Sequence, residues 1–215
     1  MPVNKTVLLT GFAPFAGEAI NPSWQAVRAL DGKVIEGHRI VAIELPTEFE
    51  ASLHVLRNAL RETKPGVAIA VGLAGGRKGI SLERVAINVI DARIPDNAGA
   101  QPVDTKVLGN GPAAYFSTLP IKTALAALHG AGIDAQVSQT AGTYVCNAAF
   151  YGLMHAARRK PLRAGFVHVP YLPEQAAGHR APAMPLDEMI HALKIIVRTS
   201  IMAGADARIA GGAES

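Results

Sequence analysis

The sequence predicts an α/β fold: one domain of three layers, α/β/α, with a mostly parallel twisted sheet between two helical layers. Short apolar runs alternate along the chain with segments of helical periodicity. Runs such as Gly66–Leu73 are apolar throughout instead of alternating, as strands covered on both faces require. A length of 215 residues, 49% hydrophobic and 18% charged, supports one substantial core and excludes disordered, collagenous and low-complexity classes. The folded unit is expected over residues 1–205. Residues 206–215, small and weakly patterned, are expected to form a flexible tail.

The elements follow in order. Thr6–Thr10 reads as a buried strand ending at Gly11. Asn21-Pro22-Ser23 opens a helix, with Asn21 as cap and Pro22 at the first helical position. Val34–Leu45 reads as one or two strands. Pro46-Thr47-Glu48 starts a helix in which Phe49, Leu53, Leu56 and Leu60 share one face. Gly66–Leu73 is a strand closed by glycines, and Arg84–Asp91 is β-rich without a clear register. Pro95 to Pro120 is a long Gly/Pro-rich connection of the kind that is functional or mobile. Helix over Lys122–Leu128, strand over Ala135–Ser138, helix over Tyr144–Arg159 and strand over Ala164–Val169 follow. Tyr171–Pro185 reads as irregular, and Leu186–Met202 as a final amphipathic helix.

Composition removes several functions. The one cysteine, Cys146, can form neither an internal disulfide nor a CxxC motif. Seven histidines show no HExxH or other paired spacing, so no metal is expected. The net charge of +4 is scattered apart from Arg158-Arg159-Lys160, which closes a helical pattern and lacks interleaved aromatics; nucleic-acid binding is not expected. Ala135–Ala157 carries no charge, but Gln136, Ser138, Gln139, Thr140, Thr143, Asn147 and His155 would be costly in lipid. No membrane association is expected. The N-terminus lacks the pattern of a secretory signal, so a cytoplasmic protein is expected.

The chemistry-bearing residues fall at predicted strand ends, where sites of such folds gather. Gly72-Leu73-Ala74-Gly75-Gly76-Arg77-Lys78-Gly79 suggests a phosphate cradle but fits neither the Walker nor the dinucleotide fingerprint, so a tight turn is the default. Cys146 follows a glycine-containing turn and starts a helix, where free N–H groups and the positive dipole end stabilise a thiolate and an oxyanion. A buried small hydrophobe is the equally weighted alternative. His168 ends a buried strand, a place where histidine is more often structural than catalytic. Glu83 sits among apolar residues and could pair with Arg93 structurally. Alternatively it orients His168 while Arg93 faces an oxyanion.

Several motifs together resemble the type I pyroglutamyl peptidases (pyrrolidone carboxyl peptidases), a family of intracellular cysteine peptidases. They are Gly11-Phe12-Ala13-Pro14-Phe15 with Asn21-Pro22-Ser23, Leu45-Pro46-Thr47, and Glu83-Arg84-Val85-Ala86-Ile87-Asn88 continuing through Asp91-Ala92-Arg93-Ile94-Pro95-Asp96-Asn97. Ala141-Gly142-Thr143-Tyr144-Val145-Cys146-Asn147 and Phe166-Val167-His168-Val169-Pro170 complete the set, in the family's order. The resemblance implies Cys146 as nucleophile, His168 as its base, Glu83 as third member and Arg93 at the oxyanion. It also implies Phe12, Phe15, Thr47, Tyr144 and Val145 around the pyroglutamyl ring. No cofactor is implied; pyroglutamyl peptides are the implied substrates and a homo-oligomer, dimer or tetramer, the implied assembly. Ala16, Gln139, Tyr144 and Ala148 depart from the family's usual Gly, Asn, Phe and His. Those departures keep a non-hydrolytic pyroglutamyl-ligand binding protein as an alternative. The fold and the Gly72–Gly79 turn leave a phosphorolytic or nucleoside-binding enzyme as another.

Overall fold

The computed structural model describes residues 5–212. Apolar runs set its centre. Strand β1 (Thr6–Phe12) and strand β4 (Val67–Leu73) lie side by side and parallel, and every residue of β4 is buried. Strand β3 (His38–Leu45) flanks β1 in parallel, and β2 (Val34–Ile35) closes that edge as a short antiparallel strand. On the other side of β4 come β9 (Arg163–Val169), parallel to it, then β5 (Ile80–Glu83), antiparallel to β9, and β8 (Ala135–Ser138), parallel to β5. The sheet order is β2-β3-β1-β4-β9-β5-β8.

Both faces are covered, as the unbroken apolar strands require. Helices α1 (Pro22–Arg28), α3 (Ile121–Gly130) and α6 (Leu186–Met202) bury Val27, Leu128 and Ile196 against Val7, Leu9 and Ile69. Helices α2 (Phe49–Thr63) and α4 (Val145–Ala157) bury Leu56 and Phe150 against Leu8, Ala68 and Phe166 on the opposite face. Local signals hold where they are chemically specific. The Asn21 side chain accepts from the Ser23 N–H at 3.1 Å with Pro22 at the first helical position. Helix α6 has the bounds its apolar periodicity indicates.

Three expectations change. The β-rich segment expected from Arg84 begins at Ile80 as β5, a strand of the main sheet. The residues after it form β6 (Val85–Ile87), paired with β7 (Ala114–Phe116) in a separate two-stranded antiparallel sheet. The signal was weak because β5 is four residues long and buries two polar ones, Ser81 and Glu83. Tyr171–Pro185 contains a two-turn helix, α5 (Pro173–His179), with Pro173 at its start and the Gln175 side chain accepting from the Leu172 N–H. Residues 206–211 are held to the body: Asp206 accepts from the Lys122 and Thr123 N–H groups at the start of α3, and the Gly211 carbonyl accepts from Arg84. Residues 213–215 of the expected tail lie outside the described residues.

The uncharged stretch Ala135–Ala157 becomes β8, a turn and α4. Among the described residues no helix is long and apolar enough to cross a membrane.

Candidate active site

The antiparallel pairing of β5 with β9 brings two sequence-distant polar residues onto one face. Ser81 is the register partner of His168, so Glu83, two residues on, lies diagonally beside it on the same face. Both side chains are buried, and His168 Nδ1 lies 2.7 Å from Glu83 Oε1. A carboxylate only accepts, so Nδ1 carries the proton and Nε2 is left as an acceptor. Burial lowers the His168 pKa, and the Glu83 carboxylate opposes that shift only in part.

Cys146 is the second residue of α4. No side chain caps this helix, so its first-turn N–H groups face outward with the positive end of the dipole. The helix start is fixed by Asn147, wholly buried, which accepts from the Ile87 N–H and donates to the Ile87 and Val89 carbonyls at 2.9 to 3.0 Å. The sulfur is packed against Gly72, where a Cβ would stand 2.8 Å from Sγ and 2.8 Å from the Phe166 ring. Any side chain at position 72 would displace the thiol. Gly72 is itself the register partner of His168 on β9, which sets thiol and imidazole at neighbouring strand ends. No hydrogen bond joins them in this structure. Burial pushes the Cys146 thiol up to about 12, Glu83 adding to the rise and Arg77 opposing it. Both shifts run towards the uncharged forms, a thiol and an imidazole.

Arg77 has no place among the sequence-derived candidates. It donates from Nη1 to Glu83 Oε1 at 2.6 Å, on the same oxygen that His168 faces, and from Nη2 to the Thr140 carbonyl at 3.1 Å. The Gly72–Gly79 turn delivers it: Gly76 has φ +89°, and a Cβ on Gly75 would sit 2.4 Å from the Tyr171 ring. Lys78 pairs with Asp134 at 3.0 Å. Arg77 is thus committed to the buried Glu83, while Lys78 pairs only at the exposed surface. The glycine signal was legible, but its target was not.

The predicted pocket residues separate into two groups. Phe12 and Val145 are buried in the core, with Phe12 6.3 Å from Phe166. Phe15, Tyr144 and Phe49 form an aromatic group, Tyr144 being edge-on to Phe49 at 5.3 Å and 6.2 Å from Phe15. Phe49 belongs to this group although helical spacing alone marked it as core. Thr47 uses its hydroxyl on the Ala13 carbonyl at 2.7 Å, joining the ends of β1 and β3. The segment after β6 crosses this group as a strap: Asp91 and Thr143 exchange two hydrogen bonds, and Tyr144 donates to the Pro95 carbonyl at 2.9 Å. Asp96 accepts from the Phe49 N–H, and the Asn97 amide donates to the Pro14 carbonyl. Arg93 lies between these anchors, exposed and without a hydrogen bond or ion pair among the described residues. It does not pair with Glu83; Arg77 does. Among the described residues no cluster of His, Cys, Asp or Glu could hold a metal ion.

The family model described as pyroglutamyl peptidase matches residues 5–203. The chain belongs to the pyroglutamyl peptidase family. A pyrrolidone-carboxylate peptidase of Erwinia tasmaniensis is 58% identical over 210 residues, covering 97% of this chain and 99% of the relative. Another, from Ralstonia nicotianae, is 56% identical over 96% of this chain and 98% of its own. Among solved structures, pyroglutamyl peptidase I of Bacillus amyloliquefaciens superposes with a TM-score of 0.94 at 48% identity, covering 97% of this chain and 100% of that one. A mutant pyrrolidone carboxyl peptidase of Pyrococcus furiosus gives 0.89 at 42% identity, over 91% and 98% of the two chains.

Within this pyroglutamyl peptidase fold the four departures have physical readings. Ala16 has φ +54°, a conformation glycine adopts at no steric cost. Gln139 accepts from Arg84 Nε at 2.8 Å, and Ala148 is wholly buried in α4. Tyr144 spends its extra hydroxyl on the strap. None of the four hydrogen-bonds to Glu83 or His168, whose polar partners are each other and Arg77.

Proposed function

We infer that this protein is a cysteine-type pyroglutamyl peptidase that removes an N-terminal pyroglutamyl residue from peptides. The observation that carries the site assignment is the buried Glu83–His168 pair, at 2.7 Å, placed beside the uncapped helix start bearing Cys146. In this reading Nε2 of His168 takes the Cys146 proton, and the thiolate attacks the pyroglutamyl carbonyl. The tetrahedral oxyanion is received by the Cys146 N–H and by Arg93, whose guanidinium has no hydrogen-bond or ion-pair partner among the described residues. The imidazolium, balanced by Glu83, protonates the departing amine, and water then cleaves the thioester and releases pyroglutamate. The lactam of the substrate is neutral, which suits walls made by Phe15, Phe49 and Tyr144, with Phe12, Thr47 and Val145 behind them. The catalytic unit is the one expected over residues 1–205, of which 5–205 are described, and residues 206–211 serve it as a strut. A thiol nucleophile works where it stays reduced, which supports a cytoplasmic setting. Exposed Val103 and Phe116 supply apolar surface for a homo-oligomer, dimer or tetramer.

Incubation with a pyroglutamyl amide of a chromogenic amine tests the reading. Release of the amine that is independent of phosphate and stopped by iodoacetamide is expected. Saturable binding without turnover would overturn it in favour of a binding protein.

Two further outcomes follow. The base must be neutral, and burial lowers His168, so kcat/KM should hold down to about pH 6.5, the ordinary histidine value, and fall only below it. An acid limb centred above that value would contradict the assignment. Tyr144→Phe removes one hydrogen bond, a contribution of about 1 kcal/mol, between the helix start and the strap. It should raise KM about fivefold with kcat preserved, read from initial rates. An unchanged KM would show that the strap does not shape substrate affinity.

A further inference from the structure

Glu83 is shared. Its Oε1 receives His168 Nδ1 at 2.7 Å and Arg77 Nη1 at 2.6 Å, while Oε2 is buried without a partner. The second arm of Arg77 reaches 63 residues along the chain to the Thr140 carbonyl. That carbonyl also accepts from the Ser138 hydroxyl, inside the turn whose Gly142 has φ +77° and which ends at the start of α4. One guanidinium therefore ties together the residue that orients the base and the turn that delivers the nucleophile. The geometry is what a planar fork of donors does and a lysine cannot, since its two arms satisfy acceptors on different elements.

We propose that Arg77 is a positioning residue of the reaction, bridging Glu83 and the Thr140 turn so that His168 and Cys146 keep a common register. The proposal rests on the catalytic reading of Cys146, His168 and Glu83 given above. Arg77 also acts through charge: its cation disfavours imidazolium at His168 and favours thiolate at Cys146. Losing it makes His168 easier to protonate and Cys146 harder to ionise. Both changes move the active form to higher pH.

The test uses Arg77→Gln and Arg77→Lys in the full chain, with two readouts. Steady-state hydrolysis of a pyroglutamyl amide should show kcat about 10²-fold lower in Arg77→Gln, the scale of an ångström-level misplacement, with KM within twofold. Its acid limb should move upward. Arg77→Lys should restore the limb towards wild type but recover only part of kcat, because one ammonium cannot hold both acceptors. The second readout is the pH dependence of Cys146 alkylation by iodoacetamide, which needs no peptide turnover. The pH of half-maximal alkylation should rise in Arg77→Gln. If wild type fails to cleave pyroglutamyl amides but this alkylation shift appears, the peptidase reading falls and with it the role in catalysis, while the charge coupling of Arg77 to Cys146 stands. The role is overturned if both pH dependences stay at wild-type values, whether the rate is retained or lost, or if they move downward. Should Arg77→Gln fail to fold, the same readouts on Arg77→Lys decide: a wild-type kcat there overturns the bridge.

Discussion

A Cys146→Ser protein is expected to hydrolyse a pyroglutamyl amide at least about 10³-fold more slowly than wild type while remaining folded. The expectation follows from what the site does for sulfur and cannot do for oxygen. Burial already pushes the Cys146 thiol up to about 12, so in the proposed reaction proton transfer to His168 supplies the thiolate at the moment of attack. A hydroxyl is a far weaker acid and a poorer nucleophile in the same apolar surroundings. The shorter side chain also withdraws from the space that Sγ fills against Gly72 and Phe166. Circular dichroism and initial rates check both parts. The measurement is clean because Cys146 is the chain's one cysteine: iodoacetamide should label one site in wild type and none in the variant. Activity within tenfold of wild type would remove Cys146 from the chemistry.

How much of this was legible beforehand depended on whether a residue's signal was local. Asn21 before Pro22 announces its cap within three residues, and α6 repeats its apolar face over four turns; both appear where expected. Strand ends offered Cys146, His168 and Glu83 as candidates, but family motifs were needed to choose the joint reading, because the antiparallel β5–β9 pairing that joins two of them leaves no periodic trace. Arg77 was hidden by its own neighbours. Glycines at 75 and 76 drew attention to phosphate chemistry, whereas they accommodate the Tyr171 ring and a left-handed turn that aims the guanidinium inward. Arg93 was the natural partner for Glu83 by sequence distance, yet the structure leaves it exposed and gives Glu83 to Arg77. Helix α5 was missed because it is two turns long and ends in a left-handed Arg180 with φ +49°, too short for periodicity to register.

Glu83→Gln is expected to separate charge from shape at the same centre. The amide has the carboxylate's outline, and its oxygen can take the place of Oε1 between His168 Nδ1 and Arg77 Nη1. The orientation of the ring then survives, but the imidazolium formed during acyl transfer loses its counter-charge and Arg77 is left uncompensated. Activity should fall by about 10²-fold or more, as for other buried carboxylates that steady a catalytic imidazole. The direction of the pH shift is the sharper result. Glu83 raises the His168 pKa against the burial that lowers it, so removing the charge moves the acid limb further down. Removing Arg77 moves it up. Glu83→Ala adds a structural cost: Arg77 and the buried His168 both lose their partner, which destabilises the fold by about 3 kcal/mol in denaturant unfolding. If Glu83→Gln and Arg77→Gln displaced the limb in the same direction, the two residues would not be acting as opposite charges on one imidazole, and the electrostatic account of the site would have to be abandoned.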